Sequence, residues 1–153
     1  MNLFKFGLLA IIAVEMPYPL MKRWASLPQL VVGATVAWPI PIAWMSVTGG
    51  QYDTITIVML CVAFGGSTFI LDTIYACQDR LDDIQVGAKS ATITLGTHLR
   101  SALLIVAAIV LASFAVAGII NGQRLFYFLV VVGSVAMSLG LPLCVIDFNN
   151  KEQ

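Results

Sequence analysis

Residues 55–76 read ITIVMLCVAFGGSTFILDTIYA, with Asp72 the one formally charged side chain in the run. Coiled as a helix at 1.5 Å per residue, this stretch is about 33 Å long, enough to cross the roughly 30 Å hydrocarbon core of a bilayer. The rest of the chain has the same character. Its 153 residues are 59% hydrophobic and 10% charged, with a mean hydropathy of +0.94. A soluble domain carries about 25% charged residues. With fewer than half that share, the side chains cannot cover a surface in water, and lipid is the natural solvent for the apolar surplus.

Four other stretches repeat the pattern, over residues 3–20, 28–48, 101–120 and 125–146. The expected fold is all-α membrane: about five transmembrane helices in a single domain over 1–153. The opening run, Phe6–Val14 behind Lys5, has the outline of a signal peptide, but Glu15-Met16-Pro17-Tyr18 offers no small-residue cleavage site, so a spanning helix is expected. Pro39 and Pro41 should kink or break the second span, which a membrane helix tolerates when neighbours satisfy the freed carbonyls. The turn Asn121-Gly122-Gln123-Arg124 is short, so the last two spans should be antiparallel neighbours. Lys22, Arg23, Arg80, Lys89, Arg100 and Lys151 fall on one membrane face, against Lys5 and Arg124 on the other. That bias puts the loops at 21–27 and 77–100 on the cytosolic or matrix side.

Composition also excludes function classes. Eight basic and eight acidic residues give zero formal net charge, which argues against a nucleic-acid partner, since such a partner requires a basic patch. Cys61, Cys77 and Cys144 lie in or beside apolar runs, an odd number without metal-type spacing, and read as buried thiols.

The chemistry concentrates at the end of the run quoted above. Asp72, Asp79, Asp82 and Asp83 are four of the eight acids, within twelve residues. An ionisable group inside a span is costly and calls for a partner or a cavity. At about 100° per residue, Asp79 falls about 20° to one side of Asp72 and Asp83 about 20° to the other. If the helix continues past Ala76, these three carboxylates form one stripe, flanked by Tyr75 and Asp82. Like charges at i,i+4 repel, and a divalent cation would relieve them. Carboxylates with retained waters and substrate phosphates suit Mg²⁺. Arg80 and Lys89 stand near enough in sequence to contact phosphate oxygens. The plainer alternative is a solvated cytosolic loop, in which Arg80 pairs with Asp79 or Asp83 for a few tenths of a kcal/mol. It leaves Asp72, inside a span, unaccounted for.

The pattern Asp72-x-x-Tyr75-Ala76-x-Gln78-Asp79-x-x-Asp82-Asp83, then Gly87-x-Lys89-Ser90, resembles the second aspartate-rich motif of the UbiA superfamily, and most closely its 4-hydroxybenzoate polyprenyltransferase branch. Tyr18-Pro19-Leu20-Met21-Lys22-Arg23, followed by Pro28-Gln29-Leu30 and Gly33, is similar to that family's loop and helix start two spans earlier. The resemblance implies part of a nine-helix bundle that opens toward the membrane. It also implies Mg²⁺-dependent transfer of a farnesyl or polyprenyl group from an isoprenoid diphosphate to an aromatic acceptor, either 4-hydroxybenzoate-like or a phenolic polyketide. On that basis Asp79 and Asp83 hold Mg²⁺ against the diphosphate, with Asp72 and Asp82 in the same metal cluster. Lys89 and Arg80, with Lys22 and Arg23, contact the substrates, and Tyr75 lines the pocket near the allylic carbon. Ubiquinone synthesis and fungal-type meroterpenoid synthesis both use such enzymes; the short chain inclines the expectation toward the latter. Organelle and endoplasmic membranes are both compatible, as is a homo- or hetero-oligomer.

The departure from the family pattern is equally specific. Glu15, Asp53, Asp147 and Glu152, the acids left over, form no first aspartate-rich motif, and Asp53 is expected on the opposite membrane face. Against the family pattern the chain runs from near the fourth helix to just after the eighth. The alternative function is therefore a catalytically inactive family remnant that acts as a membrane interaction module; an in-frame first motif upstream in the genomic DNA would argue against it. Soluble isoprenyl diphosphate synthases are not this hydrophobic, and the CDP-alcohol phosphotransferase pattern is absent because Asp79 lacks the following Gly and Ala-Arg. His98 is expected at a surface or interface rather than as a catalytic base. Trp24 is the better membrane-interface anchor, and Trp38 and Trp44 are anchors or pocket walls. Gly65-Gly66, Gly133 and Gly140, with Pro142, read as close helix packing.

Overall fold

A computed structural model describes residues 25–49 and 53–146, together with the isolated positions Lys5, Leu8 and Ile12. The expected span over 3–20 lies otherwise outside the described residues. Every regular element among those described is helical: α1 (Pro28–Ala37), α2 (Pro39–Val47), α3 (Thr54–Gln78), α4 (Arg80–Gln85), α5 (Ala91–Leu95), α6 (Leu99–Ile120), α7 (Leu125–Tyr127) and α8 (Gly133–Val145). A short 3-10 turn, Gly96–His98, joins α5 to α6, and a π-helical stretch, Phe128–Val132, joins α7 to α8.

Four stretches are long and apolar enough to cross a membrane: Pro28–Val47, Thr54–Gln78, Ala91–Ile120 and Leu125–Val145. The protein is an integral, multi-pass membrane protein. Its outward side chains fit that solvent, with Val47, Ile105, Leu129 and Val145 all more than half exposed. Hydroxyls within the spans are satisfied by their own helices, as where Thr73 Oγ1 donates to Phe69 O (2.6 Å) and Ser67 Oγ to Ala63 O (2.8 Å). In lipid no water would take that place.

The first described span is divided at Trp38, with Pro39 opening α2, as a proline that cannot donate to the preceding turn requires. The third span starts at Ala91, ten residues before the expected 101. Part of the segment read as a cytosolic loop is thus helical, because buried Ser90, Ala91 and Thr92 pack into the bundle. Helix α3 is central, with α1 on one side and α6 on the other. Ala63, Phe69 and Ile70 of α3 meet Leu99, Leu103, Ala107, Val110 and Phe114 of α6 in one core, which Leu139 and Leu143 of α8 complete.

Two glycines decide how closely α1 approaches α3. A Cβ on Gly33 would lie 2.5 Å from the Gly65 carbonyl oxygen, and one on Gly65 would lie 3.0 Å from that of Gly33. The packing role expected of Gly65-Gly66 is present. Gly133 and Gly140 differ from expectation: a Cβ at Gly133 would meet nothing nearer than 3.9 Å, and one at Gly140 nothing within 4 Å. Beyond the turn at 121–124 the chain reverses as expected, and Tyr127 Oη donates to Phe114 O across it (3.1 Å). The three thiols are free; Cys61 and Cys77 are half-buried, while Cys144 is exposed rather than buried, on an outward face of a span where lipid covers it.

The end of the bundle away from the acidic cluster is tied by polar groups. Asp53 caps α3, its Oδ1 accepting from Thr56 N (3.2 Å) and its Oδ2 from the Thr56 hydroxyl (2.6 Å). Asn121 Nδ2 donates to the same hydroxyl oxygen (2.9 Å), which fixes α3 and α6 antiparallel. Trp44 serves there as a pocket wall, bordering a cavity of about 190 Å³ with Thr56, Asn121 and Tyr127.

The Thr56 side-chain bond, then its backbone bond, hold the Asp53 carboxyl below the ordinary 3.8. A depressed folded pKa means that the ionised cap favours the folded helix above the unfolded value, and that this contribution disappears as pH falls through the lower folded one. Protection of the Thr56 amide against hydrogen exchange, corrected for intrinsic rate, should therefore be flat from pH 7 to about 4 and fall below that. In Asp53→Ala it should be low throughout. A pH-independent profile in both proteins would remove the cap from the account.

Candidate functional site

The four sequence-predicted acids lie near and just beyond the C-terminal end of α3. Asp72 lies within α3, half-buried, and makes a polar interaction. The helix does not run on uniformly past Ala76. It stops at Gln78, Asp79 takes φ −92° and ψ 4°, and α4 begins at Arg80. Aspartate suits this sparsely populated backbone region because its short side chain can bond nearby backbone groups outside helical geometry, which favours it at turns and helix ends. One helical wheel therefore does not describe Asp72, Asp79 and Asp83 together, and the condition for a continuous stripe, an unbroken helix through all three, is not met. The joint remains bonded, with Asp83 N donating to Asp79 O (2.8 Å).

The joint sorts the acids by environment. Asp79 and Asp82 are exposed, whereas Asp83 is 7% exposed. Its Oδ2 is covered and accepts no hydrogen bond, while the residue as a whole takes part in another polar interaction. Tyr75 is 66% exposed, on the outside of α3. Arg80 is half-buried, and Lys89 is exposed and engaged in a polar interaction. Lys22 and Arg23 lie outside the described residues. His98 is exposed, as expected.

Among the described residues, no three His, Cys, Asp or Glu side chains converge tightly enough to hold a metal by themselves. That donor set does not suit a closed protein cage. It does suit the way Mg²⁺ usually binds, through one or two carboxylates with the remaining places filled by water and substrate phosphates.

Two features escaped the sequence reading. An open groove of about 350 Å³ runs between α1 and α3, walled by Leu30, Gly33, Cys61, Val62, Gly65 and Phe69. Phe69 is one turn before Asp72, so this apolar groove ends just short of the acids. The second feature is Gln29, 2% exposed at the start of a span, whose Oε1 accepts from Ala91 N (3.0 Å). An amide directly after Pro28 at the head of an apolar run was the available signal.

The whole chain, residues 1–153, matches the UbiA prenyltransferase family. The chain belongs to that family. It is 38% identical over 146 residues to a protein named UbiA prenyltransferase claS from Ampulloclitocybe clavipes, an alignment covering 95% of this chain and 46% of that one. It is 33% identical over 138 residues to a mitochondrial 4-hydroxybenzoate polyprenyltransferase of Caenorhabditis elegans, covering 90% and 38%. It is 31% identical over 129 residues to a 4-hydroxybenzoate octaprenyltransferase of Alkalilimnicola ehrlichii, covering 84% and 43%. This UbiA-family chain thus spans less than half the length of each of these relatives. No solved structure matches it at comparable significance.

Proposed function

We propose that the protein is an intramembrane aromatic prenyltransferase, using Mg²⁺ to transfer a polyprenyl or farnesyl group from its diphosphate to a phenolic acceptor. The observation that carries this is a mostly buried carboxylate, Asp83, in the short helix that follows the end of α3, within eleven residues of Asp72, Asp79 and Asp82. The names of relatives support a 4-hydroxybenzoate-like acceptor, with a phenolic polyketide as the alternative.

In this assignment Asp79 and Asp83, with Asp72 and Asp82 beside them, would hold Mg²⁺. The ion, when bound, supplies neutralisation of the charge that grows on the departing diphosphate. Lys89 and Arg80, with Lys22 and Arg23, supply donors to its oxygens. The groove between α1 and α3 takes the prenyl tail, a neutral chain for which its apolar walls are the right solvent. The allylic carbon–oxygen bond breaks with its electron pair leaving on the diphosphate. A ring carbon of the acceptor bonds to the allylic carbon, and the ring proton is lost to solvent or diphosphate. Tyr75, one turn beyond Asp72 and 66% exposed in this chain, would line the pocket near the allylic carbon.

The test is an assay in native-like membranes with farnesyl diphosphate, Mg²⁺ and a panel of phenolic acids. Formation of a C-prenylated phenol, absent without Mg²⁺, is the expected result. Membranes that neither bind farnesyl diphosphate nor form product would reject the proposal.

A further inference from the structure

Lys89 sits between two backbone anchors. On one side, Ala88 N donates to Asp83 O (2.8 Å), closing a turn through Gly87 at φ 69°. On the other side, Ala91 N donates to Gln29 Oε1 (3.0 Å) from the head of α1, sixty-two residues away. Ala91 is fully buried and opens α5. Its N–H is one of the first-turn donors that a helix cannot satisfy internally. Ser90, the N-cap residue, makes no side-chain cap bond to the helix that follows; its hydroxyl lies 2.7 Å from that of Thr92 instead. The Gln29 amide therefore does the work of a cap from outside the segment. A second tie runs parallel to it, Thr94 Oγ1 donating to Ser26 O (2.7 Å).

We infer that Gln29 is a positioning residue, holding Lys89 in fixed register with Asp83 so that cation and carboxylate meet the same diphosphate. The inference rests on the diphosphate assignment made above for Lys89 and Asp83. Gln29 is buried beneath the segment and acts through it. Losing its oxygen leaves a buried N–H without an acceptor, which loosens the Lys89 side of the segment to what the Thr94–Ser26 tie still holds, while the Asp83 side stays bonded.

The test compares Gln29→Met, of similar length without an acceptor, with Gln29→Glu, which keeps one. Lys89→Met and the double variant complete a cycle. Binding of farnesyl diphosphate with Mg²⁺ is measured in reconstituted bilayers, alongside hydrogen exchange at the Ala91 amide. Gln29→Met should weaken binding about tenfold, the equivalent of one hydrogen bond's worth of lost preorganisation. It should expose the Ala91 amide and leave the acceptor KM unchanged. Gln29→Glu, which keeps the acceptor, should restore protection of the Ala91 amide. Gln29→Met should have little further effect in the Lys89→Met background, since the two act through one contact. Full additivity with Lys89→Met, or unchanged binding in Gln29→Met, overturns the inference and leaves the prenyltransferase proposal standing. Wild-type protein that binds no farnesyl diphosphate overturns both. If Gln29→Met does not fold, Gln29→Asn, one methylene short of Ala91, serves the same comparison.

Discussion

Asp83→Asn is expected to lower Mg²⁺-dependent affinity for an isoprenoid diphosphate by at least about 100-fold. Loss of an outer-shell partner of a metal ligand already costs 10- to 100-fold, and a direct ligand should meet the upper end of that range. Asparagine keeps the size of the side chain, which matters because Asp83 is 7% exposed and has little room for rearrangement. Asp79→Ala, at the exposed joint between α3 and α4, should produce a similar loss in binding with less effect on folding. Asp53→Asn is the control. It caps the opposite end of α3, roughly 37 Å away along a 25-residue helix, and should leave diphosphate affinity unchanged. Isothermal titration or a filter assay in lipid nanodiscs distinguishes these outcomes. Binding that survives both Asp79→Ala and Asp83→Asn would remove the carboxylates from the site.

Gly33→Ala should destabilise the bundle by about 1–3 kcal/mol, the usual range for forcing an extra methyl into a close-packed contact. Its Cβ would lie 2.5 Å from the Gly65 carbonyl oxygen and 3.2 Å from the carbonyl carbon. Both are backbone atoms, which no rotamer change can move aside, so α1 and α3 must separate. Gly65→Ala, with its nearest contact at 3.0 Å, should cost less. The asymmetry between two substitutions of the same chemistry is what the geometry specifically predicts. Small residues at such crossings are how membrane helices come close without a hydrophobic driving force between them. Equilibrium unfolding in mixed micelles measures both. Equal stability of Gly33→Ala and wild type would mean that the helices do not meet at this point. Gly33 also lies one turn beyond Gln29 on the same helix and lines the apolar groove, so its substitution should disturb substrate binding as well as stability.

Much of the architecture could be read from residue order, because lipid imposes a simple rule. A span must be long, apolar and internally hydrogen-bonded, and Pro28–Val47, Thr54–Gln78 and Leu125–Val145 follow the expected boundaries within about two residues. The antiparallel return after Asn121 was likewise legible from the length of its turn. The start of the third span was not, since Lys89 and Arg100 mark a water-facing loop by composition. Only the burial of Ser90, Ala91 and Thr92 against Gln29 makes that segment part of the bundle. Nor does composition distinguish Gly65, pressed against Gly33, from Gly140, which has open space around it.

The sequence by itself determined that this is a membrane protein, where three of its four described spans run, and that four of its eight acids fall within twelve residues at and after the end of one of them. Those are local properties, set by hydropathy, helix period and spacing along a single strand of chain. The tertiary structure alone decided that α3 is jointed at Asp79, that Asp83 is the carboxylate taken out of solvent, and that Gln29 reaches Ala91. Each of these depends on which helices become neighbours, and that is settled by close packing between side chains far apart in sequence.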